Sequence, residues 1–368
     1  MADVNKVRAT AEDLFASFQA AGAQMIDADI LLPAESLLDL YGEDIRARAY
    51  VTTDPLLGEM MLRPDFTVPV VQAHMAKGAA QACYTYMGPV FRKQDHHESR
   101  AREYLQVGYE RFGGDAPHQA DAEVFALFER LLRPLSLQAS IGDIGILIAA
   151  VHGLTTTERR KAALIRHIWR PARFRALLDR FVGRSPLPAA RQDLLARLAQ
   201  GDAQSLIAQA SPHIGLRSIK DVAERVKALR DDEQTPPIAA VQAQMLDTLL
   251  TLQGPAGSML KRLEGMAKTY GAIADAVTSF GARLAAMKDQ GIDADQLTFA
   301  VSHGRSSMEY YDGFVFGFTA ENRPDLPVVA SGGRYDALTR VLGQGRSIAA
   351  VGGVIRPEVL VAVQEGVV

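Results

Sequence analysis

Between Tyr84 and Gly113 the chain alternates with period two on both sides of a charged loop. Before the loop, Tyr84, Tyr86, Gly88, Val90 and Arg92 fall on one face of a strand. After it, Arg102, Tyr104, Gln106, Gly108, Glu110 and Phe112 fall on another, because strand side chains point to opposite faces in turn. Leu105, Val107 and Tyr109 take the alternate positions, so neither face is purely apolar. This pattern predicts core on one side and a polar pocket on the other. The connection is too short for a crossover, so the two strands pair as an antiparallel hairpin.

The pattern elsewhere alternates between strand and helix periods. Val7, Ala11, Leu14, Phe15 and Phe18 predict a helix over 5–21, ended by Gly22. A strand over 25–32 closed by Pro33, a short helix over 34–40 and a hairpin over 50–53 and 59–62 follow. A helix over 65–74 is entered through Arg63-Pro64-Asp65, which places Asp65 or Thr67 where it caps the helix or meets a ligand. Beyond the central hairpin come a helix over 115–132, a strand over 137–141 and a helix from 144. From about 155 to 290 alternation gives way to helical spacing, closing on one long helix over 255–290. Strands return at 297–302, 308–318, 328–330 and 349–355, before a last helix over 358–364. In the 308–318 strand, Tyr310, Asp312, Phe314, Phe316 and Phe318 form an aromatic core face. Tyr311, Gly313, Val315 and Gly317 share the other face, where the glycines leave room for something to lie against the sheet. A regular strand turns only Tyr311 into a pocket; a bulge would admit Tyr310 as well. Strands early and late with helices between predict an α+β domain over 1–152 and 295–368, interrupted by a helical insertion over 153–294.

Composition narrows the function classes. The chain has 368 residues, 48% of them hydrophobic, and a formal net charge of −3, which fits two domains or one large domain with an insertion. That charge does not favour general nucleic-acid binding. The insertion opens on a local basic run that includes Arg159, Arg160, Arg166, Arg175 and Arg180. It reads as a solvated helix face, or as a surface for RNA or an acidic partner. Cys83 is the sole cysteine, so no intrachain disulfide forms and a reducing compartment is expected. No CxxC or His-rich metal spacing occurs, and His96 and His97 read as exposed loop residues. With no signal peptide and no apolar window of membrane-spanning length, the expectation is a soluble, cytoplasmic protein without metal or cofactor.

The hairpin resembles motif 2 of class II aminoacyl-tRNA synthetases in its histidyl version, through Phe91-Arg92, Arg100, Arg102, Tyr104, Gln106, Gly108, Glu110 and Phe112-Gly113. Leu62-Arg63-Pro64-Asp65-Phe66-Thr67 is similar to that family's Leu-Arg-Pro-Glu-x-Thr segment. Ile30-Leu31-Leu32-Pro33 resembles motif 1, and Asp121-Ala122-Glu123 matches as well. Glu309 to Phe316 resembles the histidine-specific Asp-Tyr-Tyr segment, and Ser331 to Asp336 the approach to motif 3. The resemblance implies a class II antiparallel sheet flanked by helices. It also implies a histidine pocket formed by Asp65, Thr67, Arg92, Gln106, Glu110, Tyr310 and Tyr311. Ser331-Gly332-Gly333-Arg334 lacks the lysine of a P-loop and reads as a turn lining that pocket.

The departures concern the nucleotide. Ser306 stands where the synthetases keep an arginine on the α-phosphate, and Arg305 is one residue off, on the opposite face. The motif 3 arginine aligns with Val359, next to Arg356-Pro357, and the motif 2 glutamate with Gln94. With the sequence given stopping soon after motif 3, the expectation is a chain without an anticodon-binding domain. A synthetase-like chain with a histidine pocket and a weakened nucleotide grip looks like the regulatory subunits of ATP phosphoribosyltransferase. That resemblance implies a non-catalytic chain that assembles with a short-form catalytic subunit, as a hetero-octamer built on homodimers through motif 1, and takes part in feedback by L-histidine. The alternatives are an ATP-dependent histidine-activating ligase and a histidine sensor for another partner.

Overall fold

A hairpin with one polar face needs neighbours on both edges, and the computed structural model supplies them. It describes residues 3–34, 49–94, 101–201, 203–209, 218–304 and 310–366. Strands are numbered in chain order. The main sheet runs β1 (Gln24–Met25), β5 (Ala82–Phe91), β6 (Glu103–Phe112), β12 (Ala350–Ile355), β11 (Ala330–Arg334), β10 (Phe314–Thr319), β7 (Gln138–Asp143), β9 (Thr298–Ala300) and β8 (Gln253–Pro255). Its neighbours are antiparallel except β1 with β5 and β7 with β9. In the hairpin Tyr84 lies opposite Glu110, Tyr86 opposite Gly108, and Gly88 opposite Gln106. The strands therefore present the face that the period-two pattern predicts.

The two faces of the sheet are filled differently. On the apolar face Phe18, from the helix Val4–Ala20, packs 5.5 Å from Tyr109 and 5.4 Å from Phe128. Phe128 and Phe125, from the helix Pro117–Leu132, pack on Phe316 and Phe318. Aromatic pairs in this range add about 0.5–1.5 kcal/mol each beyond area burial. The polar face is approached by the helix Thr67–Lys77, which Phe66 anchors by stacking 4.3 Å from Tyr86.

Several expected elements come out differently. The strand expected over 25–32 is two: β1 joins the main sheet, and β2 (Leu31–Pro33) joins a second sheet in the order β2–β4–β3, with β4 (Gly58–Leu62) and β3 (Val51–Asp54). The break falls at Asp27-Ala28-Asp29, where the Arg63 guanidinium takes the Ala28 carbonyl and removes it from any ladder. Ser331 to Arg334 is no turn. It forms most of β11, between β10 and β12. The long helix over 255–290 is two, Ala256–Thr269 and Ala274–Asp289, separated by a 3-10 turn at Gly271–Ile273. The helix expected over 34–40 falls almost wholly outside the described residues.

The chain divides into two compact units, Met1–Ala149 with Leu249–Val368, and Ala150–Thr248. Re-entry into the sheet unit thus comes at 249 rather than the expected 295. An ionic tie accounts for part of this. Arg283 Nε donates to Asp121 (2.8 Å) and its Nη1 to Asp143 (2.6 Å), while Arg334 Nη2 donates to the other oxygen of Asp121 (2.6 Å). All four groups are buried. In the second unit, Arg160 of the helix Glu158–Arg166 is also buried, giving its Nε to Asp232 at 2.6 Å and its other donors to the carbonyls of Asp232, Thr235 and Pro236. This member of the basic run is an interior tie rather than part of a solvated face.

Breaking a buried ion pair by removing one partner costs about 3–5 kcal/mol. Asp121→Ala leaves two buried guanidiniums short of a carboxylate, and urea unfolding is expected to show a loss of that size. Arg323→Ala, which removes the exposed pair with Asp325, should change stability by less than about 1 kcal/mol.

Candidate functional site

Glu110 is the centre of the polar face and is fully buried. Its Oε1 accepts from Thr67 Oγ1 (3.0 Å) and from the Tyr86 hydroxyl (2.9 Å), and its Oε2 accepts from the Tyr335 hydroxyl (2.5 Å). The Tyr310 hydroxyl donates in turn to Thr67 Oγ1 at 3.0 Å. Three hydroxyls thus hold one carboxylate, and among the described residues no guanidinium or ammonium is bonded to it. Burial pushes Glu110 up to about 7; the hydroxyls of Tyr335, Tyr86 and Thr67 pull it down, and the carboxylate of Asp65 pushes it up again. Burial and Glu110 likewise hold the hydroxyls of Tyr86, Tyr311 and Tyr335 well above the ordinary tyrosine value.

The sheet makes room for this group with glycine. A Cβ at Gly352, opposite Glu110 on β12, would overlap the Glu110 carboxylate, and one at Gly108 would overlap the Tyr86 ring. Gln106 lies two positions further along the same face. It is 1% exposed, and neither atom of its side-chain amide has a hydrogen-bond partner among the described residues. A buried amide left this way costs about 1–3 kcal/mol, so a bound ligand is its natural complement.

Asp65, Thr67, Gln106, Glu110, Tyr310 and Tyr311 are all buried. Thr67 opens its helix, but its hydroxyl serves Glu110, and the N-cap position belongs to Phe66, which makes no side-chain cap. Asp65 lies close enough for its charge to raise Glu110 and Tyr311. Both tyrosines turn inward, their rings 5.0 Å apart and edge-on. The expectation of a regular strand here fails because β10 starts only at Phe314, so alternation does not govern positions 310 and 311. Nor do the glycines of that segment hold space for a ligand. The Arg334 side chain lies against Gly313, and the His303 ring fills the place at Gly317. Arg92 gives its Nε to the Pro64 carbonyl at 2.9 Å and lies near enough to Tyr311 and Arg356 to act on both electrostatically.

Three contributors escaped the sequence reading. Tyr86 could have been found, since it lies opposite Gly108, one same-face position from Glu110, and reaches it diagonally. Tyr335 follows β11 and carries no local signal. Arg356 is half-buried, donates to the Val328 carbonyl and lies 5.9 Å over the Tyr104 ring. Arg100, His96, His97, Arg305, Ser306 and Glu309 lie outside the described residues. Val359 is a buried residue of the helix Pro357–Glu365.

A family model described as Histidyl-tRNA synthetase matches residues 1–231 and 216–360. A relative from Rhizobium johnstonii, called an ATP phosphoribosyltransferase regulatory subunit, is 31% identical over 93% of this chain and 94% of its own length. A relative of the same name from Agrobacterium fabrum is 30% identical over 93% of each chain. The chain belongs to the family of ATP phosphoribosyltransferase regulatory subunits. Its fold is that of the histidyl-tRNA synthetases. A Bacillus halodurans structure, described as an ATP phosphoribosyltransferase regulatory subunit/histidyl-tRNA synthetase, superposes with a TM-score of 0.67 at 19% identity, covering 98% of this chain and 79% of that one. The histidyl-tRNA synthetase of Nostoc superposes with a TM-score of 0.65 at 16% identity, covering 100% and 74%. The α+β class and the antiparallel sheet flanked by helices agree with these neighbours.

The carboxyl of Glu110 makes a pH signature. With its folded pKa raised from 4.5 to about 7, its contribution to stability is whole below pH 4.5 and is lost as pH rises through about 7. At 1.36 kcal/mol per pH unit the difference is about 3 kcal/mol. Urea unfolding of wild type should therefore fall relative to Glu110→Gln by about that amount between pH 4.5 and 7.5. Parallel profiles for the two proteins would contradict the assignment.

Proposed function

We propose that this chain is a non-catalytic subunit of ATP phosphoribosyltransferase that binds L-histidine in the Glu110 pocket and confers histidine feedback on a short-form catalytic partner. The observation that carries this reading is that a hydroxyl-held carboxylate, Glu110, shares a buried strand face with the Gln106 amide, which has no hydrogen-bond partner among the described residues. Histidine offers an ammonium, an imidazole N–H and a carboxylate. Glu110 and Asp65 suit the first two, Gln106, Thr67, Tyr310 and Tyr311 supply neutral partners, and Arg92 suits the carboxylate.

Adenylate formation would need fixed cations around a phosphoryl centre, each worth orders of magnitude in rate. Val359 is apolar and Ser306 is uncharged at the two places where a synthetase keeps arginines, so we assign no bond-making step to this chain. The assembly we favour is a hetero-octamer with the short-form partner. Its homodimers would form through the small sheet, where Ile30, Leu31, Val51, Leu56 and Leu57 are exposed.

Histidine-dependent ATP–pyrophosphate exchange by the purified chain should be absent, and mixing with a short-form catalytic subunit should raise that subunit's turnover in a histidine-sensitive manner. Robust exchange would favour a histidine-activating ligase; no complex and no change in turnover would point to a sensor for another partner. Glu110→Ala removes a charge-assisted hydrogen bond and should weaken histidine binding by roughly 10- to 150-fold in calorimetry.

A further inference from the structure

The second compact unit holds a cavity of about 510 Å³ lined by Arg159, Arg160, Arg166, Arg180, Arg191 and Arg225. Among its described lining residues Asp232 is the single carboxylate. That carboxylate is already divided, with one oxygen on Arg160 Nε (2.6 Å) and the other on Arg191 Nη2 (2.5 Å). The Nε atoms of Arg180 and Arg191 are buried with no hydrogen-bond partner among the described residues. Arg180 is placed by stacking, its guanidinium carbon 4.8 Å from the Phe181 ring, while Arg160 lies 5.1 Å from the same ring. Burial, and then the charges of Arg191 and Arg160, lower the pKa of Arg180, with only Asp232 opposing them.

Like charges of this density in a partly buried space destabilise the unit unless something neutralises them. Guanidinium forks match the oxygens of phosphate in geometry as well as charge. The volume lies within the range of small-molecule pockets. We propose that this cavity is a binding site for a small multivalent oxyanion of the phosphate class. The site lies wholly within the helical unit and is independent of the Glu110 pocket and of histidine.

The test is calorimetric titration of the full-length chain with inorganic pyrophosphate at low salt, beside thermal unfolding with and without it. Wild type should bind pyrophosphate and unfold at higher temperature in its presence. Arg180→Met keeps the packing on Phe181 but removes the charge. It should weaken binding at least tenfold and abolish the thermal shift. Arg166→Gln, at an exposed lining position, should weaken binding several-fold and guards against a folding defect in the first variant. Histidine binding should be unaffected by either. No binding at millimolar pyrophosphate would overturn the proposal, as would unchanged affinity in both variants. An equal response to chloride at matched ionic strength would reduce the cavity to general charge screening. Binding of a polyglutamate peptide but not of pyrophosphate would assign it to an acidic polypeptide instead.

Discussion

A carboxylate without solvent has to be held by its neighbours, and among the described residues those that hold Glu110 are hydroxyls. Tyr86 reaches it from the adjacent strand, Thr67 from the start of a helix and Tyr335 from beyond β11. Removing the glycine at 352 would push a methyl group into the carboxylate itself. Segments far apart in sequence are therefore committed to one atom group. Burial and the Asp65 charge raise the pKa of Glu110 to about 7 while the hydroxyls pull it down, so an incoming positive charge would favour the ionised carboxylate. A satisfied polar cluster of this kind rigidifies its surroundings and fixes position.

The sheet can hold such a cluster because its stability comes from elsewhere. The aromatic stack of Phe18, Phe125, Phe128, Phe316 and Phe318 fills the opposite face. Arg283 and Arg334 tie the helices over 117–132 and 274–289 to β7 and β11 through Asp121 and Asp143. Each of those charges meets an opposite charge on the spot, whereas Glu110 is met by neutral hydroxyls and the Gln106 amide has no hydrogen-bond partner among the described residues. Buried polar groups in one sheet thus serve two ends. Where partners are complete, the group fixes architecture; where they are incomplete, as at the Gln106 amide among the described residues, our proposal puts a ligand.

Much of this was legible in the sequence. Period-two alternation from Tyr84 to Phe112 is strong enough to give the hairpin, its antiparallel pairing and the Gln106–Glu110 face. What failed did so for identifiable reasons. Tyr310 and Tyr311 were judged by strand alternation in a stretch that is not a strand. The 25–32 segment has apolar residues at strand spacing, yet Arg63, distant in sequence, takes a carbonyl in its middle. Ser331 to Arg334 looked like a turn because glycine usually marks one; here the glycines let β11 lie close to β12 and to Phe316. Tyr335 and Arg356 act through contacts with no sequence periodicity at all. Arg160 was read by charge alone, whereas its position inside the helical unit depends on Asp232, 72 residues away.

The central claim is that the Gln106–Glu110 face is kept unfinished for histidine. Gln106→Leu tests it most directly, because Leu fills a similar volume and has no orphaned amide. Histidine affinity by calorimetry and apo stability by urea unfolding should be measured together on that variant. The account predicts opposite changes: a gain of about 1 kcal/mol or more in apo stability, and loss of histidine binding. Wild-type affinity in a Gln106→Leu protein would contradict it.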